Sequence, residues 1–174
     1  MRSAEVTQNE KVVKELEGGA EVVAGTAWLW AHGDLKDKID VLFIDEAGQM
    51  SLANTLAVAQ AAKSIVLLGD PQQLDQPLKG AHPEGTDASA LGHLLGGAKT
   101  IASDRGLFLE ETWRLSPKIC AFTSELFYDG RLLSKSDCQN LQVVSKTPFS
   151  GTGLFYVPVT HEGNSNRSYE EVTA

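Results

Sequence analysis

Residues 40–74 read DVLFIDEAGQMSLANTLAVAQAAKSIVLLGDPQQL, and the fold turns on how they are taken. The stretch holds two short apolar runs, Val41-Leu42-Phe43-Ile44 and Ile65-Val66-Leu67-Leu68. Runs this short and this apolar predict strands buried on both faces, as in a parallel sheet. Between them, Leu52, Leu56, Ala59 and Ala62 recur at helical spacing. A strand–helix–strand unit follows, because parallel strands need a crossover of about a dozen residues or more. Each run ends in acid, Asp45-Glu46 after the first and Asp70 after the second. Ligands of open α/β sheets sit beyond the carboxyl ends of the strands. A carboxylate pair there suits a magnesium-bound nucleotide, one acid holding the metal's waters and the other activating the attacking water. Acid at one strand end is common in any parallel sheet. Acid at two, with GDPQQL closing the second, favours a nucleotide site.

Outward from this unit, residues 5–17 form an amphipathic pattern through Val6, Val12, Val13 and Leu16, stopped by Gly18-Gly19. Residues 21–24 read as a strand leading into Gly25-Thr26, and 27–32 as a short helix or an irregular turn. Trp28 and Trp30 are read as core packing ahead of base stacking. A long Gly- and Pro-rich connection spans 75–106, with one helical island at 88–95 capped by Asp87. Residues 107–109 are expected to be a strand. Ser116-Pro117 is an N-cap followed by proline at the first helical position, with Ile119, Phe122 and Leu126 as the helix's apolar face. Residues 153–159 alternate like a strand, and the tail 161–174 is polar.

The motifs in order resemble a known family. DEAGQ (45–49) followed by GDPQQL (69–74) is similar to motifs II and III of superfamily 1 helicases. ETWRLSP (111–117) resembles motif IV, and GTAWLWA (25–31) the strand-contacting segment before motif II. The nearest branch holds the nonsense-mediated-decay helicase and the helicase halves of RecB-like nuclease fusions. The resemblance runs from about residue 22 to 172. It implies an α/β chain with the RecA-like three-layer P-loop NTPase fold, present in part. Residues 1–110 would be the rear of a first RecA-like domain, and 111–174 the opening of a second.

The resemblance also assigns roles. Asp45 holds Mg²⁺ and Glu46 polarises the hydrolytic water of ATP. Gln73 senses the γ-phosphate, Asp70 ties its loop to the metal site, and Gln49 completes the DExxQ pattern. Arg114 reaches the γ-phosphate. A cation just before a helix N-terminus is otherwise disfavoured, so it calls for an anionic partner. Trp113 stands where the family places an aromatic ring against the base, a role level with plain packing. Thr26 is the strand contact, hydroxyl to phosphate, with a turn role close behind. The implied function is Mg-ATP hydrolysis coupled to movement on or unwinding of single-stranded nucleic acid, DNA ahead of RNA. A nuclease domain in the same parent chain is an expected partner. Two competing classes remain: a non-motor RecA-like NTPase switch, and a non-enzymatic nucleic-acid or protein binding module.

The family's first motif, GxxxxGK[ST], does not occur in the sequence. Gly96-Gly97-Ala98-Lys99-Thr100 ends like one, but alanine separates glycine from lysine and no strand precedes it, so it reads as a loop. The chain by itself is therefore expected to be inactive. Without the phosphate-loop strand, 65–68 is expected to gain a second neighbour, either 107–109 or another copy of the chain.

Composition sets the bounds. At 174 residues, 42% hydrophobic and 22% charged, the chain suits one ordinary core or a core plus part of a second. No apolar run reaches the length of a membrane span and no signal-peptide pattern opens the chain. Cys120 and Cys138 lack CxxC spacing, and the four histidines lack ligand spacing, so a reducing, cytoplasmic setting is expected. A net charge of −8 argues against a broad basic surface, leaving strand contacts to hydroxyls and backbone N–H groups.

Overall fold

The computed structural model describes residues 3–4, 9–73 and 88–158, and it divides into two compact units, Met1–Ile101 and Ala102–Ala174. The expected cap at Asp87, the start of the first helix at 5–8, and the chain from Val159 onward lie outside the described residues.

In the first unit the order is β1 (Ser3–Ala4), α1 (Asn9–Glu17), β2 (Val22–Val23), α2 (Ala27–Trp30), β3 (Ile39–Ile44), α3 (Leu52–Ala59), β4 (Ala62–Leu67) and α4 (Ala90–Leu95). The strand–helix–strand reading holds. β3 and β4 pair in parallel, with Leu42 opposite Ile65 and Ile44 opposite Leu67, and β1 pairs with β2, also parallel. The β3–β4 ladder continues into the acidic loops: Leu68 N donates to Ile44 O at 2.8 Å, and Ala47 N donates to Leu68 O at 2.8 Å.

Burial corrects two expectations here. Leu42 and Ile44 are buried with Val12, Leu29, Trp30, Leu35, Val58 and Leu91 in one core, whereas Val41 and Phe43 are 42% and 64% exposed. Successive strand residues point to opposite faces, and the described helices contribute to the core on one face only. The strand is therefore half-buried and not buried on both sides. In α3 the buried residues are Thr55 and Val58, while Leu56 is 66% exposed. Thr55 can be buried because its hydroxyl donates to the Ser51 carbonyl at 3.1 Å. The inward stripe is thus one position away from the leucine.

Helix α4 is capped by Ser89, whose Oγ accepts from Gly92 N at 3.0 Å, and it ends on Gly96 at φ +59. The sequence GGAKT therefore follows a helix and supplies its left-handed C-cap, a structural use for the glycines. Among the described residues β4 has a ladder on one side only, to β3. Among the described residues, 107–109 form no ladder.

In the second unit, β5 (Glu111–Thr112) pairs in parallel with β6 (Leu133–Ser134), and α5 (Pro117–Phe127) connects them. The expected strand starts later than read. Leu107 and Leu109 are 91% and 81% exposed, while Phe108 between them packs against Tyr128 with ring centroids 5.9 Å apart. On α5 the buried residues are Cys120 and Ser124; of the expected apolar face Ile119 is half-buried, while Phe122 and Leu126 are about half-exposed. Ser124 can be buried because its Oγ accepts from Leu132 N at 2.9 Å. Burial, with a smaller contribution from Cys138, pushes the Cys120 thiol above its usual range. Residues 154–158 form no strand; instead Val143 and Gly151 make an antiparallel bridge through bonds of 2.9 and 2.8 Å. Among the described residues no helix is long and apolar enough to cross a membrane.

Candidate functional site

The acidic loops after β3 and β4 lie backbone against backbone. Gly48 is the reason they can: a Cβ there would run into the carbonyl oxygen of Asp70. Gly69 meets the same constraint from the other side, with φ at +148 and a Cβ that would lie 2.9 Å from Ala47 N. Two glycines therefore allow an approach that no larger residue permits. The ladder bond from Ala47 N to Leu68 O crosses at this point.

This docking fixes the functional side chains. Asp45 and Glu46 leave the end of β3 exposed to solvent. Glu46 takes the left-handed conformation, φ +53, which costs an L-residue with a Cβ about 1–2 kcal/mol. Neighbouring bonds hold it there: Glu46 N donates to Asp45 Oδ1 at 2.9 Å, and Gln49 N donates to Glu46 O at 2.9 Å. Non-glycine residues held in this region concentrate at functional sites. On the facing loop, Asp70 Oδ1 accepts from Gln72 N at 3.0 Å, so this carboxylate shapes the turn that carries Gln73. Between the loops, Gln49 Nε2 donates to Gln73 Oε1 at 3.1 Å.

Asp45, Glu46, Gln49, Asp70 and Gln73 are thus gathered on two interlocked loops at the carboxyl ends of parallel strands. The Gln49–Gln73 bond is the contact that motif spacing did not supply. DExxQ marked Gln49 as a residue of interest, but its partner lies 24 positions away and becomes adjacent only through the β3–β4 register.

Among the described residues, no group of three or more His, Cys, Asp or Glu side chains gathers to hold a metal ion. Asp45 and Asp70, each following a strand, are carboxylates these loops could offer to magnesium, which takes one or two carboxylates together with substrate phosphates and waters.

Thr26 is exposed and stands at the N-cap of α2, with no side-chain cap bond. The two tryptophans that follow separate. Trp30 is 8% exposed and donates from Nε1 to Gly25 O at 3.2 Å, as core packing requires; Trp28 is 85% exposed. The packing expectation holds for one ring and not for the other, because a helical turn sends residues two apart to different sides.

Arg114 and Trp113 belong to the second unit. Arg114 is exposed, its backbone N–H bonded to Thr112 Oγ1 at 3.2 Å, and it lines a cleft of about 310 Å³. Trp113 is 68% exposed, with Lys135 Nζ 2.8 Å from its ring centroid, so one face of the indole is already covered by a cation.

Comparison with known proteins agrees with the motifs. Residues 1–77 match the family model described as an AAA domain. The chain is 30% identical over 119 residues, 65% of its length, to the "5'-3' DNA helicase ZGRF1" of Mus musculus. It is 31% identical over 128 residues, 72% of its length, to the "DNA replication ATP-dependent helicase/nuclease DNA2" of Xenopus laevis. The chain spans 6% and 12% of those two proteins. With motifs II, III and IV in family order and the first two docked on parallel strands, the chain is related to superfamily 1 helicases and carries AAA-domain sequence over residues 1–77.

Proposed function

We propose that this chain is the portion of an ATP-dependent superfamily 1 helicase that positions the hydrolytic water and relays the state of the γ-phosphate. The observation that carries the reading is the hydrogen bond from the Gln49 amide to the Gln73 amide across the two loops. A glutamine amide carries two donor hydrogens on nitrogen and an acceptor oxygen. Gln49 uses a nitrogen donor to occupy the Gln73 oxygen, which turns the Gln73 NH₂ into the part left for a phosphate oxygen or a water. Gln49 is in this reading a positioning residue for Gln73.

Asp45 would hold Mg²⁺, with Asp70 tying the facing loop to that site; when bound the ion supplies neutralisation of charge on the phosphates of ATP. Glu46 takes the proton of the attacking water, its backbone held in the left-handed turn that aims it off the strand end. Arg114 stabilises charge on the transferred phosphoryl group, and Trp113 offers its uncovered face to the base. Thr26 contacts a strand phosphate. The substrate is single-stranded nucleic acid, DNA ahead of RNA, and the parent protein is cytoplasmic. A nuclease domain in the same parent is a partner by analogy with the second relative above. Self-association through the unladdered edge of β4 is a further part of the proposal.

The test uses paired proteins. The sequence contains no GxxxxGK[ST], so the 174-residue chain alone turns over no ATP. In a helicase-length protein, Glu46→Gln keeps nucleotide binding and loses hydrolysis, and Arg114→Ala lowers turnover by about 10³-fold. Gln49→Ala lowers turnover while leaving nucleotide affinity in place. Magnesium-dependent hydrolysis by the isolated chain, abolished by Glu46→Gln, would refute the reading.

A further inference from the structure

Among the described residues of the first unit, Trp28 is the large apolar side chain left most exposed, at 85%. A buried aromatic ring brings about 150–250 Å² to a core, and this indole contributes almost none of it. Its segment is nevertheless firmly anchored. Leu29 and Trp30, next in the chain, are buried in the core. Trp30 Nε1 donates to Gly25 O at 3.2 Å, which closes the turn from its other side. Gln60, at the end of α3, donates from Nε2 to Ala31 O at 2.7 Å. Leu29 N and Ala31 N donate to Thr26 O and Ala27 O, each at 3.0 Å. Anchors before and after Trp28 therefore hold its ring outward on a fixed support.

A fixed outward ring suits either an apolar protein surface or a single flat π-face. A protein interface needs a contiguous apolar patch. Along this segment the exposed residues around Trp28 are instead small or polar: Gly25, Thr26 and Ala27 before it, His32 and Gly33 after the buried pair. A nucleobase needs only the area of one ring. Charge favours the same occupant. The chain carries a net −8, yet residues 22–33, VVAGTAWLWAHG, include no Asp or Glu, so the segment sets no carboxylate of its own against a polyanion.

We propose that Trp28 is a stacking platform for one base of a single strand. A hydroxyl such as that of Thr26 can grip only the backbone, whereas an indole takes the base itself. The platform rests on the reading of single-stranded nucleic acid as substrate and on nothing at the ATP loops. Stacking is tolerant of sequence because every base has a π-face. It releases no counterions, so the share of affinity owed to Trp28 changes little with salt, unlike phosphate contacts.

Titration of the 174-residue chain tests it, with oligothymidylate, an abasic strand of equal length, and thymidine monophosphate at the same base concentration. Oligothymidylate quenches tryptophan emission saturably, and Trp28→Ala removes that quenching. The alanine variant binds labelled oligothymidylate about tenfold more weakly by anisotropy, within the range that losing one stacking ring costs. Trp28→Tyr restores most of the affinity, and the thermal midpoint of both variants stays where it was because the ring is exposed. The abasic strand binds the wild-type chain as weakly as oligothymidylate binds Trp28→Ala. Equal affinity in wild type and Trp28→Ala overturns the platform and leaves the substrate reading standing; a chain that binds no oligonucleotide overturns both. Abasic strand bound as tightly as oligothymidylate assigns the contact to phosphate, and equal quenching by the mononucleotide assigns it to a free nucleotide; either overturns the proposal. Self-association in sedimentation that depends on Trp28, without strand binding, assigns the ring to a protein surface and overturns it as well.

Discussion

Replacing Gly48 with alanine tests the interlocked loops directly. The added methyl would run into the Asp70 carbonyl oxygen, a backbone atom that cannot rotate away as a side chain can. The two loops must part, and the bond from Ala47 N to Leu68 O lies in the path of that movement. Overpacking of this kind costs about 1–3 kcal/mol, and the lost ladder bond adds about 1 kcal/mol. The sum is about 2–4 kcal/mol. With a urea slope near 2 kcal/mol/M, the unfolding midpoint should fall by about 1–2 M. Gly33→Ala is the matched control, since a Cβ there meets nothing within 4 Å. It should be neutral or stabilise by about 0.4–1 kcal/mol through the unfolded state. Urea denaturation followed by circular dichroism and by tryptophan fluorescence reads both variants, the buried Trp30 reporting the first unit. If Gly48→Ala is as stable as Gly33→Ala, the loops are not in backbone contact and the Gln49–Gln73 bond loses its support.

Glu46→Gly should raise stability by up to about 1 kcal/mol, because the left-handed backbone costs glycine nothing while its unfolded-state entropy offsets part of the gain. Glu46→Gln should leave the thermal midpoint unchanged; a midpoint lowered by the glycine variant would mean the strain is not present. The exposed Asp40–Lys63 pair, 2.7 Å apart across β3 and β4, sets a small pH dependence. Its hydrogen bond with Lys63, and then the lysine's charge, hold the Asp40 carboxyl below its usual value. That contribution is therefore present above the unfolded carboxylate range and lost as pH falls through the lowered folded value. The same bond raises Lys63, so its share is present below the ordinary lysine range and lost as pH rises through the raised value. Asp40→Asn should remove the acid-side slope, and salt should shrink it in the wild-type chain, because both side chains are largely exposed. An acid-side slope identical in the two proteins would assign it elsewhere.

The two strands, their parallel sense and the site loops were legible in residues 40–74, because each rests on local pattern. An apolar run bounded by acid sets a strand and its end, and a crossover helix sets the sense. Ser116-Pro117 marked the start of α5 for the same reason. Which face of each element turns inward was not legible. Thr55 and Ser124 are buried while Leu56, Phe122 and Leu126 are exposed, since a polar side chain bonded to a nearby backbone group removes the penalty that a sequence reading assigns to it. Strand identity at 107–109 failed because extended alternation is a local property and a ladder needs a partner; the partner, β6, meets the chain two residues later, at Glu111. Among the site residues, the sequence named Asp45, Glu46 and Asp70 from their place after strands, and the family resemblance added Gln49 and Gln73. Only the register of β3 against β4 brought Gln49 to Gln73 and set Gly48 beneath Asp70, because contacts between residues far apart in the chain are fixed by pairing geometry and not by any motif's own spacing.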